Sequence, residues 1–268
     1  MAFSYSEITS RKNEKIIWVC KLYDKKNRDA LGLFLTDGAK LLEEAISSGM
    51  CIDKLFFTRK ALSAYEDLLI DAKAGENILV SDEVFKKITR ELAPQGILAV
   101  IKKPAPESFD KESLKQGDFL ILEDIQNPLN LGAIFRCAYS LGCTKLILSS
   151  NCSDVYNPKT LRSAMGSAFK VSFNICDDIG AFIKEQSSFG NRVFCTHLHS
   201  DSKILGSFEF KSGDSVVIGN EGHGVCEETV SLCNGSLIIP MTEGAESLNA
   251  ATATSIIIWE MNKSKLIN

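Results

Sequence analysis

Short apolar runs alternate with amphipathic segments along the first hundred residues. Runs of buried-strand character predict strands at 33–35, 54–58, 77–80 and 96–101. Apolar residues at helical spacing predict helices at 38–48, 62–72 and 82–90. Strands that alternate with helices imply a small α/β domain, which we assign to residues 1–101.

A polar, proline-containing stretch interrupts this alternation. Residues 102–117 contain two prolines and several charges, with almost no apolar side chains. This composition is typical of a linker between domains. We therefore predict two domains, residues 1–101 and 118–268, joined by a linker at 102–117.

The alternation resumes in the second half of the chain. Apolar runs predict strands at 119–123, 145–149, 171–175, 192–196, 216–218 and 237–241, with helices at 132–141, 159–169, 179–187 and 250–259. Near-continuous apolar strands that alternate with helices indicate a parallel sheet covered on both faces. In such sheets a ligand binds beyond the carboxyl ends of the strands. The polar loops after Glu123, Thr196, Ile218 and Met241 therefore become one candidate site.

Composition excludes several classes of protein. The chain has 268 residues, of which 45% are hydrophobic and 24% charged, as in an ordinary globular protein. No apolar run approaches the roughly 20 residues that span a bilayer, and the first ten residues are too polar for a secretory signal. We predict a cytoplasmic protein with no membrane partner. The nine cysteines are scattered without a C-x-x-C pair, so we expect reduced thiols.

Charge is unevenly distributed along the chain. The net charge of −4 gives no global attraction to nucleic acid, so RNA or DNA contacts would need a local basic patch. Residues 1–28 provide one candidate, and both a solvated helix face and a phosphate-contacting edge fit it. The basic side chains of this segment are Arg11, Lys12, Lys15, Lys21, Lys25, Lys26 and Arg28.

A glycine-dense loop follows the strand at 216–218. Its order, Gly219-x-x-Gly222-x-Gly224, differs from the dinucleotide fingerprint G-x-G-x-x-G, and no phosphate-loop G-K-[ST] is present. Glycines at a strand end allow a ligand to approach the backbone closely, but a tight structural turn also fits. The carboxylate of Glu221 within the loop favours a neutral or cationic ligand over a phosphate.

Two further polar segments carry candidate chemistry. Arg136 falls one turn into a helix that starts near Asn130 in an otherwise apolar stretch, so it either pairs with Asp124 or Glu123 or points at a reacting or phosphate group. Ser247 and Asn249 precede the last helix, where either residue is a good N-cap. The three histidines do not have metal-ligand spacing, and we predict no metal site.

Three of these segments occur together in one known family. The segments N-P-L-N-L-G-A-I-F-R (127–136), G-N-E-G-H-G (219–224) and I-P-M-x₄-E-S-L-N (239–249) resemble the motifs of the SpoU (TrmH) family of RNA ribose 2′-O-methyltransferases, in the SPOUT superfamily. Residues 157–166 resemble its middle signature. The resemblance covers residues 118–262, and residues 8–101 look like the accessory substrate-binding domain of the family. Ala250-Ala251-Thr252 departs from the usual Val-Ser.

The resemblance implies a fold, a cofactor and a reaction. It implies an α/β catalytic domain with a trefoil knot, a smaller ribosomal-protein-like α/β domain, and a homodimer formed through the C-terminal domain. It implies methyl transfer from S-adenosylmethionine to a ribose 2′-OH of RNA, with ribosomal RNA favoured over transfer RNA. A transfer RNA substrate and a non-catalytic RNA-binding or ribosome-assembly factor on the same fold stay open as alternatives.

The resemblance also assigns site residues. The predicted catalytic or substrate-positioning residues are Asn130, Arg136, Glu221, Ser247 and Asn249. The predicted cofactor-binding residues are His197, Leu198, Gly219, Asn220, Glu221, Gly222, Ile239, Met241, Leu248 and Asn249. With RNA as the substrate, the predicted RNA-binding residues are Arg11, Lys12, Lys15, Lys25, Lys26, Arg28 and Arg162.

Overall fold

The computed structural model describes residues 3–105, 108–197, 201–242, 244 and 247–267. Within these residues the chain forms twelve strands, eleven α-helices and one 3-10 helix, Ser167–Phe169. The strands are β1 (Ser6–Ile8), β2 (Leu33–Asp37), β3 (Ile52–Phe57), β4 (Glu76–Val80), β5 (Ile97–Lys102), β6 (Leu120–Leu122), β7 (Lys145–Ser149), β8 (Ser172–Cys176), β9 (Val193–Thr196), β10 (Lys203–Ile204), β11 (Ser215–Ile218) and β12 (Ser236–Ile238). The helices are α1 (Glu14–Lys21), α2 (Lys25–Leu31), α3 (Ala39–Ser47), α4 (Arg59–Asp71), α5 (Asp82–Ile88), α6 (Lys111–Gln116), α7 (Pro128–Ser140), α8 (Pro158–Ala164), α9 (Ile179–Ser188), α10 (Glu227–Leu232) and α11 (Ala250–Ile267).

These elements form two compact units. The first unit comprises Met1–Ala105 and Asp154–Phe169, and the second comprises Pro106–Ser153 and Lys170–Asn268. The first unit therefore contains a segment that the predicted boundaries place in the second domain. Most of the predicted linker belongs to the second unit, where Asp110 caps α6 by accepting a hydrogen bond from the amide of Ser113 at 2.7 Å.

The first unit is built on a mixed five-stranded sheet in the order β1-β4-β3-β5-β2. Strand β5 runs antiparallel to β2 and β3, whereas β1, β3 and β4 are parallel. The carboxyl ends of β1 to β4 and the amino end of β5 therefore lie at one edge, here called the carboxyl edge of the first sheet. Helices α1 and α5 contribute to a fully buried core on this sheet, through residues that include Ile16, Val19, Val84, Phe85 and Ile88.

Long-range contacts explain why residues 154–169 belong to the first unit. The guanidinium of Arg28 donates hydrogen bonds to Asp154 Oδ2 from Nε at 3.2 Å and Nη2 at 2.5 Å. The ring of Phe34 in β2 lies 4.7 Å from that of Tyr156 and 6.0 Å from that of Phe169, measured between centroids. Contacts between residues over a hundred positions apart leave no periodic signal in the sequence. The predicted domain boundaries therefore did not assign residues 154–169 to the first unit.

Helix ends differ from the predicted ones where the caps differ. Helix α7 begins at Pro128, earlier than predicted, because Asn127 Oδ1 accepts a hydrogen bond from Leu129 N at 2.9 Å and proline suits the first turn. Helix α8 ends at Ala164 because Met165 adopts a left-handed conformation with φ +51°. Helices α1, α2, α6 and α10 were not among the predicted elements.

Asp37, at the end of β2, is a mostly buried carboxyl group. Its Oδ2 accepts a hydrogen bond from Thr89 Oγ1 at 2.5 Å, while Oδ1 is buried without a partner in the described residues. Burial raises the pKa of Asp37 from the ordinary 3.8 to about 6, although the Thr89 hydrogen bond opposes the shift.

The raised pKa of Asp37 predicts a pH-dependent stability difference. Because the folded state holds the proton more tightly, the contribution of Asp37 to the free energy of unfolding falls as pH rises from about 4 to about 6. We compare the free energy of unfolding of Asp37→Asn with that of the wild type. The difference should favour the variant by about 2 kcal/mol more at pH 8 than at pH 4. Urea unfolding of both proteins at the two pH values measures this difference, and an equal difference at both would contradict it.

The second unit contains the predicted parallel sheet. Seven strands of the described chain are ordered β10-β12-β9-β11-β6-β7-β8, and every neighbouring pair is parallel. The parallel α/β sheet predicted for this half of the chain is confirmed. Helices α7 and α11 lie against each other, with Asn262 Nδ2 donating to Leu141 O at 2.9 Å.

Two general expectations can be compared with the fold. All nine cysteines lie in described parts of the chain and are free thiols, as predicted. Among the helices of the described residues, none combines the length and the apolar character required to cross a membrane.

Candidate functional site

A cleft of about 500 Å³ opens at the carboxyl ends of β9, β11 and β12. Its volume lies in the range of small-molecule sites, roughly 300–1,000 Å³. The floor is mainly apolar, and polar groups are supplied by the loops that follow the three strands. The lining residues are Thr196, His197, Ile218, Gly219, Asn220, Glu221, Gly222, His223, Gly224, Leu237, Ile238, Ile239, Met241, Ser247, Leu248, Ala250 and Ala253.

The glycine loop is closed on itself by backbone hydrogen bonds. Asn220 and Gly224 exchange two N–H···O bonds of 3.0 Å each, and Gly224 has φ +72°. A Cβ on Gly219 would lie 2.2 Å from both the carbonyl carbon of Gly224 and the amide of Val225. Only glycine fits at position 219, because these neighbours are backbone atoms that cannot rotate away.

The side chain of Asn220 holds the loop together through hydrogen bonds. Its Oδ1 accepts hydrogen bonds from the amides of Gly222 at 2.7 Å and His223 at 3.3 Å. Its Nδ2 donates to the carbonyl of Asp124 at 2.8 Å, which ties the loop to the end of β6. Asn220, which was predicted to bind the cofactor, also lines the cleft.

A buried carboxylate anchors the far side of the same loop. Glu123 is 7% exposed and accepts hydrogen bonds from Cys226 N at 2.8 Å and Thr229 Oγ1 at 2.5 Å. These donors lie at the start of α10, where free amides favour a negative charge. Glu123 is therefore already partnered, and the alternative in which it pairs with Arg136 is wrong.

Three loops are joined by one chain of side-chain hydrogen bonds. Asn130 Nδ2 donates to Glu221 Oε1 at 2.8 Å, and Asn249 Nδ2 donates to Asn130 Oδ1 at 3.0 Å. Asn249 Oδ1 also accepts from the amide of Ala251 at 3.0 Å, which caps α11 as predicted. The carboxylate of Glu221 is thereby held in one orientation beside the cleft, and it leaves its second oxygen for a cationic or hydrogen-bonding ligand.

The structure brings most predicted cofactor residues to the cleft. His197, Gly219, Glu221, Gly222, Ile239, Met241 and Leu248 line it, together with the predicted catalytic residue Ser247. Asn249 joins it through the hydrogen bond to Asn130. Leu198 lies outside the described residues.

Arg136 occupies a different position from these residues. It is exposed on α7, does not belong to the cleft lining, and forms no ion pair with any described carboxylate. Asp124, its other predicted structural partner, accepts a hydrogen bond from Ser149 Oγ at 2.7 Å. The guanidinium is thus available to a ligand that approaches the outer side of α7.

The predicted RNA-binding side chains divide into three groups. Arg28 is 2% exposed and bonded to Asp154 and to two backbone carbonyls, so the prediction that it contacts RNA is wrong. Lys15 and Arg162 are exposed but paired with Glu76 and Glu91. The remaining predicted side chains are exposed without an ion pair in the described residues, namely Arg11, Lys12, Lys25 and Lys26.

Two thiols of the second unit, Cys195 and Cys233, interact with each other. The Cys233 thiol donates a hydrogen bond that lowers the pKa of Cys195, and the same bond together with burial raises the pKa of Cys233. Cys195 belongs to the buried core of the second unit, and Cys233 packs against that core. Both are structural side chains, because neither lines the cleft.

Several residues of the site escaped prediction. Glu123 ends an otherwise apolar run. A charged residue in this position is a local sign of a buried carboxylate that requires hydrogen-bond partners. Thr196 and His223 lie in loops that were assigned to the site, but nothing in the sequence separates them from their neighbours. The apolar lining residues Ile218, Leu237 and Ala253 belong to ordinary strand and helix patterns, so only the packing reveals them.

Comparison with known protein families gives two matches. The model of the SpoU rRNA Methylase family matches residues 118–259. The model of the MRM3-like substrate binding domain matches residues 13–99.

Relatives match over nearly the whole chain. The chain is 28% identical to the 23S rRNA (guanosine(2553)-2′-O)-methyltransferase RlmP of Bacillus subtilis, over 95% of this chain and 98% of that protein. It is also 28% identical to the 23S rRNA (uridine(2479)-2′-O)-methyltransferase of Streptomyces viridochromogenes, over 97% of this chain and 92% of that protein.

Solved structures match to a similar extent. The AdoMet-bound rRNA methyltransferase from Sinorhizobium meliloti superimposes with a TM-score of 0.83 and 26% identity, covering 97% of this chain and 98% of that one. The SpoU methyltransferase AviRb from Streptomyces viridochromogenes, in complex with AdoMet, superimposes with a TM-score of 0.83 and 25% identity, covering 95% and 99%.

Proposed function

Because the chain belongs to the SpoU rRNA methylase family, we propose that it catalyses the S-adenosylmethionine-dependent methylation of a ribose 2′-OH in ribosomal RNA. The relatives in B. subtilis and S. viridochromogenes are named as 23S rRNA 2′-O-methyltransferases, which supports this reaction and this class of RNA. The observation that carries the proposal is the hydrogen-bonded chain Glu221–Asn130–Asn249, which joins the three motif loops around one cleft.

The cleft has the features that S-adenosylmethionine requires. The absence of a Cβ at Gly219 lets the backbone of the loop pass within contact distance of itself, and this shapes the cleft wall. An apolar floor formed by Ile218, Leu237 and Ala253 suits an adenine ring, and the Glu221 carboxylate suits a neighbouring positive charge. We propose that Gly219, Glu221, Gly222, Ile239, Met241 and Leu248 hold the cofactor.

The cofactor, when bound, supplies an electrophilic methyl group on a positively charged sulfur. The protein must then place the ribose oxygen correctly and stabilise it as its proton passes to water or to a neighbouring group. We assign the second task to Arg136, because a planar guanidinium can stabilise developing negative charge or hold a flanking phosphate. The side-chain hydrogen bonds that join Glu221, Asn130 and Asn249 hold the three loops together. Ser247 provides a hydroxyl at the cleft.

Loss of the Arg136 guanidinium is expected to abolish methylation while leaving cofactor binding intact. We expect Arg136→Ala to reduce transfer of tritiated methyl groups to total RNA from cells lacking this gene by about 100-fold or more, the loss typical of a missing charge-stabilising donor. In the wild type, the label should appear in the ribosomal RNA size class. Affinity for S-adenosylmethionine should change less than twofold, since Arg136 does not line the cleft.

Three other results would contradict parts of the proposal. Near-full turnover by Arg136→Lys would show that guanidinium geometry is not needed. Label in transfer RNA alone would replace ribosomal RNA as the substrate. Failure of the wild type to bind S-adenosylmethionine would favour a non-catalytic assembly factor.

We propose further that the second unit contains the trefoil knot implied by the family. The loops after β9, β11 and β12 converge on one cleft, and the chain then enters α11, which packs against α7. This arrangement supports a knotted crossing at the carboxyl ends of the strands, an exception to ordinary chain topology.

A homodimer through the second unit is also proposed. Tyr139 of α7 is 44% exposed, and Trp259 and Leu266 of α11 are 40% and 45% exposed. Large exposed apolar side chains on two adjacent helices suit the self-complementary contact of a two-fold dimer. Such a contact would place a second copy beside the outer side of α7.

The first unit is proposed to bind the RNA. It matches the MRM3-like substrate binding domain over residues 13–99, and a mixed sheet covered by helices supports the predicted ribosomal-protein-like fold. A ribosomal RNA substrate would place the enzyme where ribosomes are assembled. The predicted cytoplasmic location agrees with such a substrate and stays a prediction.

A further inference from the structure

One exposed loop of the first unit presents an apolar side chain at its tip. Leu92 lies between α5 and β5 and has a relative exposure of 104%, the highest of the large apolar side chains in the described chain. The next three residues of this loop, here called the Leu92 loop (residues 89–96), are also exposed. A single exposed leucine is common on protein surfaces, so the groups around Leu92 decide whether the loop forms a binding surface.

The Leu92 loop is held firmly at both ends. Thr89 Oγ1 donates a hydrogen bond of 2.5 Å to Asp37 Oδ2 at the end of β2. At the other end, Gln95 Oε1 accepts a hydrogen bond of 2.8 Å from the amide of Ala39 at the start of α3. The tip is therefore presented on a fixed base, and binding to it costs less conformational entropy than binding to an unanchored loop.

Cations cluster around this loop. Arg90 is exposed, and its guanidinium lies 4.0 Å from the centre of the Tyr23 ring. Lys87 Nζ donates to the carbonyl of Arg11 at 2.7 Å, so the turn after β1 lies beside the end of α5. Among the described residues, no carboxylate forms an ion pair with Arg11, Lys87 or Arg90.

Acidic groups near the loop are already engaged or lie elsewhere on α5. Glu91 is paired with Arg162, and Asp37 accepts the Thr89 hydroxyl. Asp82 and Glu83 lie in the first turn of α5, opposite the end that bears Lys87. The surface around Leu92 is thus locally positive although the chain has a net charge of −4.

We propose that the Leu92 loop and the cations beside it form an RNA-binding surface, at which Arg11, Lys87 and Arg90 contact phosphates and Leu92 packs against an unstacked base. Folded RNA offers both features in its loops and bulges, where bases splay out between closely spaced phosphates. RNA is favoured over a protein partner because the unit matches a substrate binding domain. The inference rests on the proposed function, since it locates the contact with that substrate.

The test compares two substitutions in this surface with matched controls at the opposite edge of the sheet. Leu92→Ser removes the apolar tip, and Arg90→Gln removes one cation. Leu31→Ser and Lys102→Gln are the controls, because Leu31 is 50% exposed and Lys102 is also exposed. Leu31 ends α2 just before β2, and Lys102 ends β5, where it pairs with Leu33 at the amino end of β2. Filter binding to ribosomal RNA from cells lacking the gene is measured at several salt concentrations, with thermal melting to verify folding.

The two substitutions should have different signatures. We expect Leu92→Ser to weaken RNA binding about tenfold with little change in salt dependence, as for loss of a base contact. Arg90→Gln should weaken binding and reduce the slope of log K against log salt by about one, as for loss of one phosphate contact. The RNA affinities of both control variants should stay within about twofold of the wild-type affinity, because we expect neither residue to contact a phosphate.

Other outcomes separate this inference from the proposed function. Wild-type RNA affinity in folded Leu92→Ser and Arg90→Gln would overturn the inference while leaving methylation by the wild type untouched. A change in sedimentation of Leu92→Ser with unchanged RNA affinity would assign the loop to a protein contact and also overturn it. Absence of RNA binding and methylation in the wild type would overturn the proposed function itself.

Discussion

Replacement of Gly219 by alanine is expected to abolish binding of S-adenosylmethionine. The added Cβ would lie 2.2 Å from the backbone at Gly224 and Val225, so the loop must open to accept it. Opening the loop would break the paired hydrogen bonds between Asn220 and Gly224 and move Glu221 away from Asn130. We expect the dissociation constant, measured by calorimetry, to rise by about 100-fold or more, equivalent to about 3 kcal/mol.

Gly222 in the same loop provides the matched comparison. A Cβ there would meet only Asn220 Oδ1, at an ordinary contact distance of 3.4 Å. Gly222→Ala should therefore weaken cofactor binding much less than Gly219→Ala does, and both variants should remain folded by circular dichroism. Equal affinities for Gly219→Ala and wild type would show that the loop does not shape the cofactor site.

Replacement of Asn130 by aspartate is expected to reduce turnover by about 100-fold at pH 8. The buried amide of Asn130 donates a hydrogen bond to Glu221 and accepts one from Asn249. An aspartate carboxylate at this position could still accept from Asn249 but could not donate to Glu221. Two carboxylates would then face each other at hydrogen-bond distance. Loss of a hydrogen bond to a charged group costs about 1.5–3 kcal/mol, and the repulsion adds to it.

The pH dependence of this variant identifies the cause. When two carboxylates share a site, the pKa of one of them rises, and its proton restores the missing donor. Activity of Asn130→Asp relative to wild type should therefore recover as pH falls toward about 6, as measured from kcat at each pH. Asn127→Asp is the control, because aspartate replaces asparagine well as the cap of α7. A turnover within threefold of wild type at pH 8 would contradict the role given to Asn130.

Much of the site can be predicted from patterns that are local in the sequence. Parallel strands end at one edge of a sheet, so the polar loops after β9, β11 and β12 are expected to meet, and they do. Glycine spacing also identifies the loop at 219–224, since positions that require glycine are rare and chemically distinct. The knot cannot be predicted from such patterns, because apolar periodicity reports local structure and not the order in which segments cross.

Charge predictions were less accurate than loop predictions. A basic residue in the sequence shows neither whether its side chain is buried nor which carboxylate it meets. Arg28 belongs to a basic segment in the sequence, but its side chain is buried against Asp154, more than a hundred residues away. Leu92 is a single leucine in a polar stretch of the sequence, and only its exposure of 104% distinguishes it.

The sequence by itself determined the alternation of strands and helices and the three polar loops, because each depends on residues close together in the chain. The parallel sheet followed from that alternation through the general rules of α/β folds. Only the tertiary structure decided that residues 154–169 join the first unit, that Asn130 links Glu221 to Asn249, and that Arg136 stays outside the cleft. These features depend on side chains brought together from distant positions. Their energies arise from burial and hydrogen-bond geometry that no local pattern encodes.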